Sequence, residues 1–219
     1  FSHEVAMLRM RNNLRRWPAR LTKRIFDTVA AALLLVLLSP VMLLIAALVR
    51  RDGGPALFAH PRVGKRRKTF KCYKFRTMVI DAEQRLEQVL QQSPELRQQW
   101  EEERKLRDDP RVSPLGRFLR RTSLDELPQL LNVIRGEMSL VGPRPVVSAE
   151  LPRYGDDVGY YLMVRPGMTG LWQVSGRSDV DYDARVYLDS WYVKNWSLWT
   201  DMVILLKTVR VVLARSGAY

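Results

Sequence analysis

Two adjacent carboxylates, Asp125 and Glu126, follow directly on a run of arginines, Arg117, Arg120 and Arg121. An ionised aspartate can attack phosphorus and form an acyl-phosphate. The charge of a phosphorylated substrate would repel such a nucleophile, so flanking cations become necessary parts of the site. Guanidinium groups suit that task because they grip phosphate oxygens in a bidentate fashion. The same residues also admit a structural role. Asp125 can cap the helix that carries Leu130, Leu131, Val133 and Ile134, leaving Pro128 in the first turn where its missing N–H does no harm. Ser123 and Glu126 alternatively fit a capping box. The arginines, for their part, fit a solvated helix face. Capping and catalysis are compatible, since a helix start beside cations favours anions in either case.

The elements that must position this pair are short. Pro55–Arg62 and Thr69–Thr77 read as extended stretches around the basic Gly64-Lys65-Arg66-Arg67-Lys68, a predicted β-hairpin. Asp81–Gln92 reads as a helix, and Ser93-Pro94 opens a second that runs to Arg107, where Asp108-Asp109-Pro110 stops it. This charged pair is expected to pack on one side only. Ser113-Pro114 starts a further helix by the same signature. Its Leu115, Phe118 and Leu119 fall on one face and Arg117, Arg120 and Arg121 on the other.

From Val29 to Val49 the chain is apolar except for Ser39 and Pro40. That stretch is about 21 residues, or roughly 31 Å of helix, enough to cross a hydrocarbon core. A plain spanning helix is one reading and a buried soluble hairpin another. Two features favour a third, a re-entrant helix-break-helix. Arg20, Lys23 and Arg24 precede the run and Arg50 and Arg51 follow it, which places both ends on the cytoplasmic side. Ser39-Pro40 at the midpoint predicts a break, with the Ser39 hydroxyl serving a carbonyl freed there. Near the C-terminus, Trp191, Tyr192, Trp196 and Trp199 precede an apolar stretch, Thr200–Ala214, interleaved with Lys207, Arg210 and Arg215, a pattern suited to the headgroup layer.

Composition bounds the partners. The net charge of +13 over 219 residues calls for an anionic one. The basic residues are spread over several elements without a DNA or RNA motif, so no nucleic acid is expected. Cys72 is the single cysteine, which excludes an internal disulfide and a C-x-x-C site. His3 and His60 lie far apart, so any metal is expected to be a hard cation, Mg²⁺ first. Residues 1–20, polar and arginine-rich, read as a linker or the end of a preceding region, and 21–219 as one domain with the re-entrant segment at 24–50.

Several separated motifs carry a family resemblance: Lys23-Arg24-Ile25-Phe26-Asp27, Ser39-Pro40, Tyr73-Lys74-Phe75-Arg76-Thr77-Met78 and the run from Arg121 to Gln129. Gly136–Pro145, Arg165–Gln173 and Gly217-Ala218-Tyr219 complete the set. In this order they resemble the bacterial sugar transferase family, the monotopic polyprenyl-phosphate hexose-1-phosphate transferases, over roughly residues 20 to 219. The resemblance implies an α-rich α+β fold: a monotopic membrane domain with the re-entrant helix, interfacial amphipathic helices and short strands. It implies transfer of hexose-1-phosphate from a UDP-sugar to polyprenyl (undecaprenyl) phosphate, with release of UMP. That would be the first membrane step of O-antigen, capsule or exopolysaccharide assembly, on the cytoplasmic face of the bacterial inner membrane.

By the same resemblance Asp125 is the nucleophile and a ligand of Mg²⁺, with Glu126 as general base or positioning group. Arg120 lies near the substrate phosphate with Arg121 beside it, and Arg144 faces the nucleotide unless it only marks a rigid turn. Lys74 and Arg76 line the phosphate path or are cations at a strand edge. Membrane lipids are expected partners, and a homodimer is compatible with this reading. The competing reading is a non-catalytic, single-span membrane scaffold with a basic cytoplasmic domain.

Overall fold

The computed structural model describes residues 13–103, 106, 109–176 and 181–214. The first part of the 1–20 segment, the stop at Arg107-Asp108, Arg215 and the Gly217-Ala218-Tyr219 motif lie outside the described residues. Helix α1 spans Trp17–Val49, with Pro18 in its first turn, and is roughly 50 Å long at 1.5 Å per residue. The expected break at Ser39-Pro40 is not there: one helix runs through both residues. Pro40 has no N–H for the carbonyl four residues back, and the Ser39 hydroxyl donates to that Val36 oxygen instead, at 2.8 Å. The freed acceptor is satisfied without ending the helix, so helix-break-helix over 24–50 is corrected to one continuous element.

Burial along α1 is uneven. Lys23, Asp27 and Ala31 near its start and Ile45 and Val49 near its end are buried, whereas no residue from 32 to 44 is. Leu33, Val36, Leu37, Leu43 and Leu44 are more than half exposed. Among the described residues, α1 is the helix long and apolar enough to cross a membrane.

The remainder forms one helix-rich body. Strands β1 (Leu57–Val63) and β2 (Thr69–Phe75) pair antiparallel, from Leu57 opposite Phe75 to Val63 opposite Thr69, as the sequence predicts. Helices α2 (Ala82–Gln92), α3 (Pro94–Glu103), α4 (Pro114–Thr122) and α5 (Gln129–Arg135) follow. Then come β3 (Ser139–Val141), α6 (Val158–Met163), β4 (Gly167–Thr169), α7 (Tyr182–Lys194) and α8 (Leu198–Ala214), with β3 and β4 parallel. Phe70 and Cys72 of β2 pack with Leu130 and Val133 of α5, Tyr192 and Val193 of α7, Ile204 of α8 and Ala31 of α1. Phe75, at the far end of β2, packs instead with Leu119, Ile45 and Val49. Both ends of α1 therefore rest on the same body.

A buried polar clasp fixes the first of those ends. Lys23 Nζ donates to Asp201 Oδ2 at 2.6 Å, and Asp201 also accepts from Tyr192 OH at 2.6 Å and Trp196 Nε1 at 3.0 Å. Asp27 accepts from Ser139 Oγ at 2.7 Å and the Leu140 N–H at 3.2 Å. Arg24 donates to the carbonyls of Val133 and Ile134 at 2.6 and 2.8 Å, at the C-terminal end of α5 where a cation is favoured. The clasp corrects the interfacial reading for half of the C-terminal aromatics: Tyr192 and Trp196 are core residues. Trp199, Met202, Leu206 and Val209 keep an exposed apolar stripe at helical spacing along α8.

Candidate active site

Asp125 and Glu126 sit in a single 3₁₀ turn, Leu124–Glu126, between α4 and α5. Ser123, just before it, is left-handed at φ 56° and bends the chain sharply. α5 then begins at Gln129 with Pro128 in the cap position, and no side chain bonds its first N–H groups. Both capping readings are thereby corrected: α5 starts beyond the pair without a side-chain cap, and the Ser123 side chain makes no capping bond either. The carboxylates turn instead toward β2. Lys74 Nζ lies 2.6 Å from Glu126 Oε1 and 3.8 Å from Asp125 Oδ2.

Helix α4 brings the arginine. Ser113 caps it, accepting from the Gly116 N–H at 2.9 Å, and Pro114 takes its first position. A Cβ at Gly116 would lie 2.0 Å from the Thr77 carbonyl oxygen, so only glycine lets α4 approach this closely. The approach sets the helix's rotation. Gly116 and Leu119 face the body and Phe118 turns outward, against the expected Leu115–Phe118–Leu119 face. Arg120 then lies half-buried, its Nε donating to Thr77 Oγ1 at 2.9 Å, and Arg121 is exposed.

The electrostatics follow from burial. Asp125 is 7% exposed. Burial pushes its carboxyl up to about 6; Lys74 opposes the rise, the Glu126 charge adds to it and Arg120 opposes it. For Lys74, burial works to lower the ammonium, but the Glu126 and Asp125 carboxylates outweigh it and hold the group above its ordinary value. Near neutrality Asp125 is thus mostly ionised yet weakly solvated, a state suited to a nucleophile.

Among the described residues, no three His, Cys, Asp or Glu side chains converge on a metal position. Asp125 and Glu126 nevertheless supply hard oxygen donors, and Mg²⁺ commonly takes one or two carboxylates with substrate phosphates completing its shell. The pair fits a cation that arrives with substrate.

Other expected residues are placed elsewhere. Arg76 donates to Asp52 through both terminal nitrogens and also to the carbonyls of Pro55, Met78 and Val49. It joins the end of α1 to the hairpin base. Arg144 is exposed, with its guanidinium 5.8 Å from the Trp172 ring centre and its charge felt at Asp189. Ser39 and Pro40 lie in the exposed middle of α1.

Reading residues alone overlooked Thr77 and Asn132. Asn132 is fully buried, accepts from the Tyr73 N–H at 3.1 Å and donates to the Lys71 carbonyl at 2.8 Å, which locks α5 to the strand carrying Lys74. A polar residue among Leu130, Leu131, Val133 and Ile134 was the available signal.

A buried aspartate flanked by a carboxylate, a lysine and an arginine thus lies in a body docked on a long apolar helix. The chain belongs to the family described as Bacterial sugar transferase, which matches residues 18–215. It is 59% identical over its whole length to the undecaprenyl-phosphate galactose phosphotransferase of Salmonella typhimurium, covering 46% of that protein. It is 58% identical, again over its whole length and 46% of the relative, to the UDP-galactose-lipid carrier transferase of Erwinia amylovora. A shorter relative, the exopolysaccharide production protein ExoY of Rhizobium meliloti, is 52% identical over 91% of this chain and 88% of its own. The chain thus spans about half the length of the first two relatives.

Proposed function

We propose that this chain transfers a hexose-1-phosphate from a UDP-sugar to polyprenyl phosphate, with Asp125 as the nucleophile. The observation that carries the reading is the buried Asp125 carboxylate, 3.8 Å from the Lys74 ammonium and acted on by the Arg120 charge. In the first step an Asp125 oxygen bonds to the β-phosphorus while the bond to the bridging oxygen breaks, and UMP leaves with that electron pair. An oxygen of polyprenyl phosphate then bonds to the same phosphorus. The acyl-phosphate bond breaks, polyprenyl diphosphate sugar departs and the Asp125 carboxylate is regenerated.

Lys74 offsets negative charge between the two carboxylates, and Arg120 grips a phosphate oxygen. Glu126, oriented by Lys74, takes the proton of a protonated acceptor phosphate. Mg²⁺, held by Asp125 when bound, would neutralise charge on the donor diphosphate. The relatives named for galactose make UDP-galactose the first donor to test.

Docking of both ends of α1 on one body supports a monotopic placement, because the ends of a helix crossing a bilayer would lie on opposite sides of it, and the cations at both ends favour the cytoplasmic face. Cysteines introduced at Arg16 and Arg51 should label from the same side. Labelling from opposite sides would remove the monotopic reading. The catalytic reading is tested by rapid quenching with UDP-galactose. A sugar-phosphoryl adduct on Asp125 is expected, and its absence while UMP is released would overturn the covalent route.

A further inference from the structure

A second cluster of cations lies at the opposite end of the hairpin from Lys74. The turn Lys65–Lys68 closes with the Lys68 N–H on the Lys65 carbonyl at 3.2 Å, and both central residues are left-handed, Arg66 at φ 57° and Arg67 at φ 62°. Hairpin turns of this kind favour Asn-Gly, whose residues adopt positive φ cheaply. Two arginines here hold strained backbone and place charge where a neutral turn would be easier to fold.

Beside the turn is a cavity of about 430 Å³, lined by Lys65, Arg66 and Lys68 from the hairpin and by Gly136, Glu137 and Arg165 from the loops it faces. Arg20 of α1 and Arg165 both act on Lys65, and burial with this like charge lowers the Lys65 ammonium below its ordinary value. Arg165 is pinned by its Nε on the Gly136 carbonyl at 2.6 Å. Glu137, the acidic group in the lining, is engaged by Asn132 at 2.6 Å. Among the described residues, no carboxylate lies within ion-pair distance of Arg20, Lys65, Arg66, Lys68 or Arg165. Like charges gathered around a cavity, without an ion pair among the described residues and with Glu137 held by Asn132 and Asp27 acting on Arg165 only from beyond ion-pair distance, favour an anion from outside.

We propose that this cavity binds the phosphate group of an anionic membrane lipid, as a site separate from the transfer pair. From Thr69 to Lys74 the strand advances roughly 17 Å at 3.3 Å per residue, too far for a phosphate held here to reach Asp125. Lipid is the source because Arg20 stands on α1 between Trp17 and Leu21, both exposed, at the start of the apolar face. Cations at the rim of an apolar surface meet lipid phosphates at headgroup height. The proposal rests on the membrane placement of α1 and is independent of the catalytic assignment.

The test uses the whole chain and vesicles of phosphatidylcholine with or without phosphatidylglycerol. Lys65→Gln with Lys68→Gln should weaken binding to the anionic vesicles by about tenfold or more, at roughly 1 kcal/mol per cation near the surface. Binding to pure phosphatidylcholine and UMP release in detergent should stay unchanged. Arg50→Gln with Arg51→Gln removes the same charge at exposed positions away from the cavity. An equal loss in that pair would reduce the effect to diffuse attraction and overturn the site. Displacement of the vesicles by inorganic phosphate, at concentrations that leave the Arg50/Arg51 contribution intact, would reassign the cavity to a soluble anion. Should the lysine pair fail to fold, Arg66→Gly relaxes the turn while removing one cation, and unchanged binding by that variant overturns the proposal equally.

Discussion

Asp201 and Asp125 are both buried aspartates beside a lysine, and their surroundings differ in one respect. Asp201 accepts from Lys23, Tyr192 and Trp196, all at 3.0 Å or less. Asp125 has its lysine 3.8 Å away, and that lysine's short contact goes to Glu126. A carboxylate with several strong donors is fully engaged by the fold, because losing any of them exposes the full desolvation cost of the group. A carboxylate buried with distant cations keeps its lone pairs for something that arrives later. The first arrangement fastens α1 to the body, and the second leaves a reactive oxygen under β2.

The contrast can be broken most sharply at Asp125 itself. Asp125→Asn should lower UMP release from UDP-galactose by at least about a thousandfold, read by a coupled nucleotide assay. The same substitution should stabilise the fold. Burial raises the Asp125 carboxyl from 3.8 to about 6, so the folded chain holds this proton more tightly than the unfolded chain. Its contribution to stability therefore falls as pH climbs between those values. Denaturation should show Asp125→Asn more stable by on the order of 1–3 kcal/mol at pH 7 and nearly unchanged at pH 4. A loss of stability at pH 7 would mean that the fold depends on the Asp125 charge just as it does on that of Asp201.

Asp201→Ala should act the other way, costing about 3–5 kcal/mol by leaving buried Lys23 with only the more distant Asp27 carboxylate, at 3.8 Å. Adding Lys23→Met should recover part of that loss in the same melts. Lys74→Met should reduce turnover by about a hundredfold. Because Lys74 opposes the rise at Asp125, the variant should also move the midpoint of the pH–rate curve upward from its expected position near 6. A midpoint that does not move would detach Lys74 from Asp125. The smallest effect is expected at Arg121, which is exposed: Arg121→Ala should leave stability within about 0.5 kcal/mol. Its turnover should fall far less than that of Arg120→Ala.

Much of this arrangement was legible in the residues. The hairpin around Gly64–Lys68, the Ser113-Pro114 helix start and the acidic pair after an arginine-rich helix all depend on local chemistry, and all stand where their spacing put them. Arg76 and Arg120 could not be told apart in that way, since each is an arginine beside a motif. Their roles diverged because the end of α1 offered Arg76 carbonyls and a carboxylate, while Gly116 rotated α4 until Arg120 met Thr77. Ser39-Pro40 misled for a related reason. Proline's lost hydrogen bond is a local fact, but whether the helix ends there depends on a replacement donor, and the Ser39 hydroxyl provided one.

By itself the chain's sequence determined the long apolar segment, the surplus of positive charge and the pairing of carboxylate with arginine, because these follow from residue type and short-range spacing. The tertiary structure alone decided which carboxylates are saturated and which stay open. It also decided which cations are tied to carbonyls and which, among the described residues, crowd together without an ion pair. Those outcomes depend on contacts between residues as distant as 23 and 201, or 74 and 125, and desolvation is set by what surrounds a group in space.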